Sequence, residues 1–299
     1  MEVCQSWSNV LVSKTSVLKG TGGSNPPTSA KGEFMDTIYQ HAPILEWDAD
    51  SSDDAKKYFF GNKKKPFHQF DEVKKLGIHK ALIFFPRAFN SLKEIVKKCK
   101  KIYDFKAASS ISPIYLYDKK FIIALCPLGG PSAANLMEEL SFVGIDTFIA
   151  CGSCGCLLKE FPDVKYFLPT DAIRDEGLSY HYLPPNRTVD TNAELNQIIR
   201  TTLIEENKTF IEGRIWTTDA MYRETPNRIQ RRMKEGALGV DMECASLAAC
   251  AKFNKLKFSA LFYFTDLIHA TTWQWRMYDK VKLRTNLIYM CEKVLDKIK

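Results

Sequence analysis

The chain contains no run of about 18 apolar residues, so no membrane-spanning helix is expected. It is also poor in cysteine for a disulfide-held protein, with nine in 299 residues. With no secretory signal pattern, reduced thiols and a cytoplasmic setting are the expectation. The five histidines, at 41, 68, 79, 181 and 269, are scattered and give no ligand spacing. Aromatics are not interleaved with the lysine groups at 63–65 and 97–101. The formal net charge of +7 therefore reads as solvated faces, with no nucleic-acid partner expected.

What is present is ordinary globular material, 45% hydrophobic and 26% charged. Residues 1–36 stand apart. "SVLKGTGGSNPPTSAKGEF" is rich in Ser, Thr, Gly and Pro, lacks apolar periodicity and reads as a flexible extension. The absence of arginine there argues against an organelle transit peptide. Residues 37–299 read as one domain. "KALIFF" is a short buried strand, and "SLKEIVKKCKKIYDF" has a helical pattern. "PIYLYD" and "KFIIALCPL" suggest a hairpin turning at Asp118-Lys119. "GGPSAANLMEELSFVG" opens on glycines, continues as a helix and stops at Gly144. Further strands are expected in "DTFIACGSCG", "VKYFLPTDAIRDEG", "GRIWTTDAM" and "FSALFYFTD". Helices are expected in "LNQIIRTTLIEEN", "RIQRRMKEGA", "CASLAACAKFN" and at the C-terminus. Strands alternating with helices predict an α/β fold with a mixed, largely parallel sheet covered on both faces.

"FIACGSCGC" at 148–156 holds three cysteines as C-x-x-C-x-C. A zinc knuckle needs a second pair, which the sequence lacks, and a redox dithiol usually opens a helix. Gly152 and Gly155 instead bracket Ser153, which suits a strand-to-turn connection presenting N–H groups and a hydroxyl to an anion or sugar. The sulfurs are then incidental core thiols, and no metal is expected.

These residues carry a family resemblance. "GGPSAANLMEELSFVGIDTFIACGSCG" resembles the core of the nucleoside phosphorylase and uridine phosphorylase superfamily. "TTDAMYRET" is similar to its base-pocket segment, "GVDMECASLAA" to its Val-Glu-Met-Glu ribose signature, and "FTD" before Leu267 to its Ser-Asp motif. The resemblance runs from about residue 80 to about 270 with the pieces in family order. It implies a three-layer α/β sandwich around a twisted mixed, partly closed β-sheet, assembled as a homodimer or hexamer. It also implies cleavage of the N-glycosidic bond of a small-molecule nucleoside, with inorganic phosphate as co-substrate and no other cofactor.

The resemblance assigns roles residue by residue. Glu243 would accept from the ribose hydroxyls, with Met242 against the sugar. Asp266 would protonate or hydrogen-bond N7 of a purine, which burial of the carboxyl would favour. Met221 and Tyr222 would lie in the base pocket, and His181, in "AIRDEGLSYHY", would contact the ribose or a neighbouring subunit. Thr225 and Asn227 stand where uridine phosphorylases carry glutamine and arginine, which favours a purine.

The phosphate site departs from the pattern. Arg87-Ala88-Phe89-Asn90-Ser91 stands in place of Gly-Asp-Pro-x-Arg, and Ala150 replaces a second arginine. The expected cradle is Ser153, Gly152, the Gly130 turn and Arg87, with Arg174 a further candidate cation. Nucleosidase relatives use water activated by a glutamate near the first strand, and 84–92 holds no acid. Phosphorolysis is the expected activity. A nucleosidase, or a catalytically weak nucleoside-binding or storage homologue, remains the alternative.

Overall fold

The computed structural model describes residues 68–85, 89–106, 110–269, 272–275 and 279–298, together with Ile44. The expected 1–36 extension, its boundary and Arg87 lie outside these residues. Every element named below belongs to the unit Trp47–Lys299.

The described residues form eleven strands. They are β1 (Lys80–Phe84), β2 (Cys99–Lys106), β3 (Ile111–Tyr117), β4 (Phe121–Leu125), β5 (Thr147–Cys156) and β6 (Tyr166–Asp175). Then come β7 (Thr188–Asp190), β8 (Phe210–Thr218), β9 (Ala237–Asp241), β10 (Lys257–His269) and β11 (Thr272–Trp275). The helices are α1 (Asp71–Lys75), α2 (Lys93–Val96), α3 (Gly130–Phe142) and α4 (Ser179–Tyr182). They continue as α5 (Ala193–Glu205), α6 (Pro226–Lys234), α7 (Cys244–Phe253) and α8 (Lys280–Asp296).

All eleven strands join one sheet in the order β11-β10-β6-β8-β9-β5-β1-β4-β3-β2, with β7 on β6. Strand β5 also bonds to β10, so β10, β6, β8, β9 and β5 close into a five-stranded barrel. Along one edge β5 pairs first with β1 and then, at Gly155 and Cys156, with β9. The sheet is mixed: β1–β4, β1–β5, β5–β10, β6–β8 and β8–β9 pair in parallel, while the β2–β3–β4 meander, β11, β7 and the β5–β9 and β6–β10 contacts are antiparallel. One face packs on α3 and α7, and the other on α5 and α8. Among the described residues no helix is long and apolar enough to cross a membrane.

Two local expectations are corrected. The helix expected over "SLKEIVKKCKKIYDF" stops after one turn, α2, and the rest is strand β2. Pairing with β3 overrides the helix propensity of the lysines, whose charges suit an outer strand. The expected turn at Gly152–Gly155 is absent, since β5 runs straight through it. The glycines there serve close packing. A Cβ on Gly155 would lie 2.5 Å from Ile268 Cδ1 and 2.9 Å from Val240 Cγ1. The hairpin at Asp118-Lys119 forms as expected, with φ of 47° and 56°, a left-handed pair that matches strand twist.

Candidate active site

The strand β5 alternates sides, so Cys151 joins the core layer under α5 and α8 while Cys154 and Cys156 join the opposite layer. The three sulfurs of C-x-x-C-x-C therefore do not converge. Ser153, on the same side as Cys151, is exposed and pairs in register with Tyr263 of β10.

Strand β9 ends on Asp241, and α7 begins three residues later. A helix start leaves main-chain N–H groups without partners. Asp241 Oδ2 accepts from the N–H of Cys244 at 2.8 Å and of Glu243 at 3.3 Å. Its Oδ1 accepts from the Thr217 hydroxyl at 2.7 Å, and Thr217 Oγ1 accepts the N–H of Ala245 at 3.0 Å. Asp241 thus fixes the turn that carries Glu243. Glu243 Oε1 accepts the N–H of Gly129 at 2.7 Å, and Oε2 accepts that of Met242 at 3.3 Å. Gly129 sits at φ +100°, a conformation that glycine permits and other residues resist. Glu243 is buried, and burial, then the Asp241 carboxyl, push its pKa up.

Asp266 was expected at a strand end. It lies inside β10, at a bulge where Phe264 pairs with Cys154 and Asp266 with Gly155. Its carboxylate accepts from the Thr265 hydroxyl. Burial raises its pKa, against the Thr265 and Trp273 hydrogen bonds.

Glu243, Asp266, Met242, Met221 and Ser153 line one cavity of about 770 Å³. Asp241 and Glu224 bring further acids to the same wall, and Trp273 and Trp275 of β11 add aromatic surface. Lys280 and Arg284 of α8 contribute cations. Arg284 Nε donates to the Tyr263 hydroxyl at 3.1 Å, and Lys280 Nζ lies 5.9 Å from the Trp275 ring centroid.

Several expected site residues lie elsewhere. Tyr222 is 93% exposed and does not line the cavity, nor does His181 on α4. Gly152 and Gly130 are also off its wall. Gly130 meets a packing need instead, because a Cβ there would fall 2.2 Å from Ser246 Oγ. Arg174 is used up inside its own loop. It donates to Ser179 Oγ at 2.8 Å, Pro184 O at 2.7 Å and Leu183 O at 3.0 Å, and stacks on Tyr180. Asp175 pairs with Arg232, and Glu176 accepts from the N–H of Ser179 and the hydroxyl of Ser246. This loop is a structural clasp on α7.

Glu224, Lys280 and Arg284 are among the wall residues that the sequence did not single out. Lys280 and Arg284 carry a readable signal, an i, i+4 pair of cations opening the last helix. Glu224 gives none, since an acid after "MYR" reads as a surface turn.

The description of the family whose model matches residues 93–288 is the phosphorylase superfamily. The chain is 33% identical over 138 residues to a guanosine phosphorylase of Halorubrum lacusprofundi, covering 45% of this chain and 56% of that protein. It is 28% identical over 143 residues to a purine nucleoside phosphorylase of Shewanella oneidensis, covering 47% and 61%. A uridine phosphorylase of Haemophilus influenzae matches at 29% over 70 residues, covering 23% and 28%. The chain spans less than two thirds of the length of each of these relatives.

Proposed function

Because the chain belongs to the phosphorylase superfamily, we propose that it cleaves the N-glycosidic bond of a purine nucleoside by phosphorolysis. The products are the free base and ribose 1-phosphate. The observation that carries this reading is the pairing of Glu243 and Asp266 on one cavity wall, the first anchored by the N–H of Gly129.

Breaking the C1′–N bond builds positive charge on the ribose and negative charge on the departing base. Glu243, fixed at the start of α7, accepts from the ribose hydroxyls, and Met242 packs beside the sugar. Asp266 supplies a proton to N7, which neutralises the base as it leaves. Its burial favours the protonated form that this step needs. A phosphate oxygen attacks C1′ as the bond to the base breaks. Ser153, on the cavity wall, and Arg87 hold that phosphate. The protein works in the cytoplasm as a homodimer or hexamer.

The test is a panel of purine and pyrimidine nucleosides incubated with and without inorganic phosphate, following base and ribose 1-phosphate. Phosphate-dependent release from purine nucleosides is expected. Release at equal rate without phosphate means hydrolysis by water, and no release with any nucleoside means a binding protein.

A further inference from the structure

Glu224 lies on the cavity wall and has no part in the reading above. It follows a single 3₁₀ turn, Met221–Arg223, and precedes α6. Its position is fixed by main-chain bonds on both sides. Its own N–H donates to Met221 O at 3.2 Å, and Thr225 N–H donates to Arg223 O at 2.8 Å. A glutamate in an exposed turn normally extends into water. Here Oε2 is shielded from solvent and has no hydrogen-bond partner. A solvent-shielded carboxyl oxygen without a partner on a cavity wall points to a ligand that completes it. Burial, then the nearby Asp266 carboxyl, raise its pKa to about 7. The two acids are therefore electrostatic neighbours.

We propose that Glu224 is a specificity-determining residue that, beside Asp266, reads the N7/C6 edge of the purine, with Glu224 taking the 6-substituent. This rests on the phosphorolysis reading, in which Asp266 addresses N7. The chemistry of that edge supplies the logic. A 6-aminopurine presents an acceptor at N7 and a donor at the amino group, whereas a 6-oxopurine presents two acceptors. Two acids holding one proton offer a donor and an acceptor, which matches the 6-aminopurine. Two acids holding two protons offer two donors, which matches the 6-oxopurine. The proton on Glu224 then decides the preference. The other charged groups on the cavity wall are Asp241 and Glu243 from β9 and the start of α7, and Lys280 and Arg284 from α8. They face both nucleosides alike, so their influence cancels in a ratio.

The experiment measures kcat/KM for adenosine and inosine, with saturating phosphate, from pH 6 to pH 8.5. In the wild-type protein the adenosine-to-inosine ratio is expected to rise about tenfold across this range, mostly through KM. In Glu224→Gln, whose amide both donates and accepts at every pH, the ratio is expected to be flat. Glu224→Met should flatten it as well and weaken both substrates. Calorimetric titration with free adenine and hypoxanthine gives the same ratio without turnover, and the melting temperature reports folding of each variant. A flat wild-type ratio, or an unchanged slope in Glu224→Gln, overturns this assignment and leaves phosphorolysis standing. Wild-type protein that neither cleaves nor binds any nucleoside overturns both.

Discussion

The main-chain N–H of Gly129 donates to Glu243 Oε1 at 2.7 Å, tying the turn before α3 to the first turn of α7. These residues are 114 positions apart in sequence. One bond thus joins the glycine turn and the acid of the Val-Asp-Met-Glu stretch, and it orients the carboxylate from outside its own helix. Glu243→Gln keeps the volume and an oxygen for Gly129 but removes the charge that the carboxyl carries once ionised, so the comparison is made above its raised pKa. Hydrogen bonds to charged groups contribute about 1.5–3 kcal/mol. At least a tenfold loss of kcat/KM on the best nucleoside is expected, with the melting temperature preserved. Unchanged kinetics would remove Glu243 from the ribose site.

Asp241 acts one step behind Glu243. Asp241→Ala would strand the Thr217 hydroxyl and the N–H of Cys244, both buried. Unpartnered buried groups cost about 1–3 kcal/mol each. Denaturant titration should show a loss of about 2–6 kcal/mol, one such cost for each of the two groups, and kcat/KM should fall with Glu243 displaced. Full activity at equal stability would show that the turn does not depend on Asp241.

Gly130→Ala tests close packing. The new methyl would meet Ser246 Oγ at 2.2 Å, and Ser246 is itself held by Glu176 at 2.6 Å. Overpacking of a core costs about 1–3 kcal/mol. The double variant Gly130→Ala/Ser246→Gly should recover part of that loss. No recovery would place the cost elsewhere than in this contact.

Glu224 also sets a pH dependence of stability. Its ordinary value of 4.5 rises to about 7 in the folded protein. In the unfolded chain the group ionises above about pH 4.5, while the folded protein keeps the proton until about pH 7. Stability from this group is complete below pH 4.5, falls as pH rises to 7 and is level beyond. After allowance for partial exposure the swing is about 1–2 kcal/mol. Urea titrations at pH 4.5, 6 and 8 should show wild type losing this much relative to Glu224→Gln. Parallel curves would mean that the carboxyl titrates normally.

Arg87→Ala addresses the anion. If Arg87 holds phosphate, KM for phosphate should rise far more than KM for nucleoside, because a charge-assisted contact to a dianion is lost. An effect absent in Arg87→Ala but present in Lys280→Ala would move the anion to the α8 side of the cavity.

The sequence reads well where local pattern and tertiary demand agree. Helices α3, α5, α6, α7 and α8 and most strands lie where periodicity places them, and Gly144 ends α3 with φ +101°. Strand β2 was misread because lysine-rich helix and lysine-rich outer strand share a composition, and only β3 decides between them. The Gly-Ser-Cys-Gly stretch was misread as a turn because its glycines answer to Ile268, Val240 and Phe85, which are distant in sequence. Glu243, Asp266, Ser153, Met242 and Met221 converge because motif order carries topology. Glu224 and the α8 cations required the fold itself, since their place on the wall depends on how β11 and α6 return to the barrel.

Helix α7 is buried along almost its whole length, from Cys244 to Ala251. Glu243 therefore rides on a segment whose amides should exchange with solvent only when the entire molecule opens. The facing elements differ: Met221 is 38% exposed, Trp273 50% and Trp275 63%. Their amides should exchange through small local excursions at far lower free energy. On the proposed reading the cavity thus has a slow wall for the sugar and a fast wall for the base. A nucleoside entering it should slow exchange in 221–224 and 272–275 while leaving α7 unchanged. Part of its binding energy is then spent on ordering the base side, which makes discrimination between bases more sensitive to temperature than recognition of the ribose.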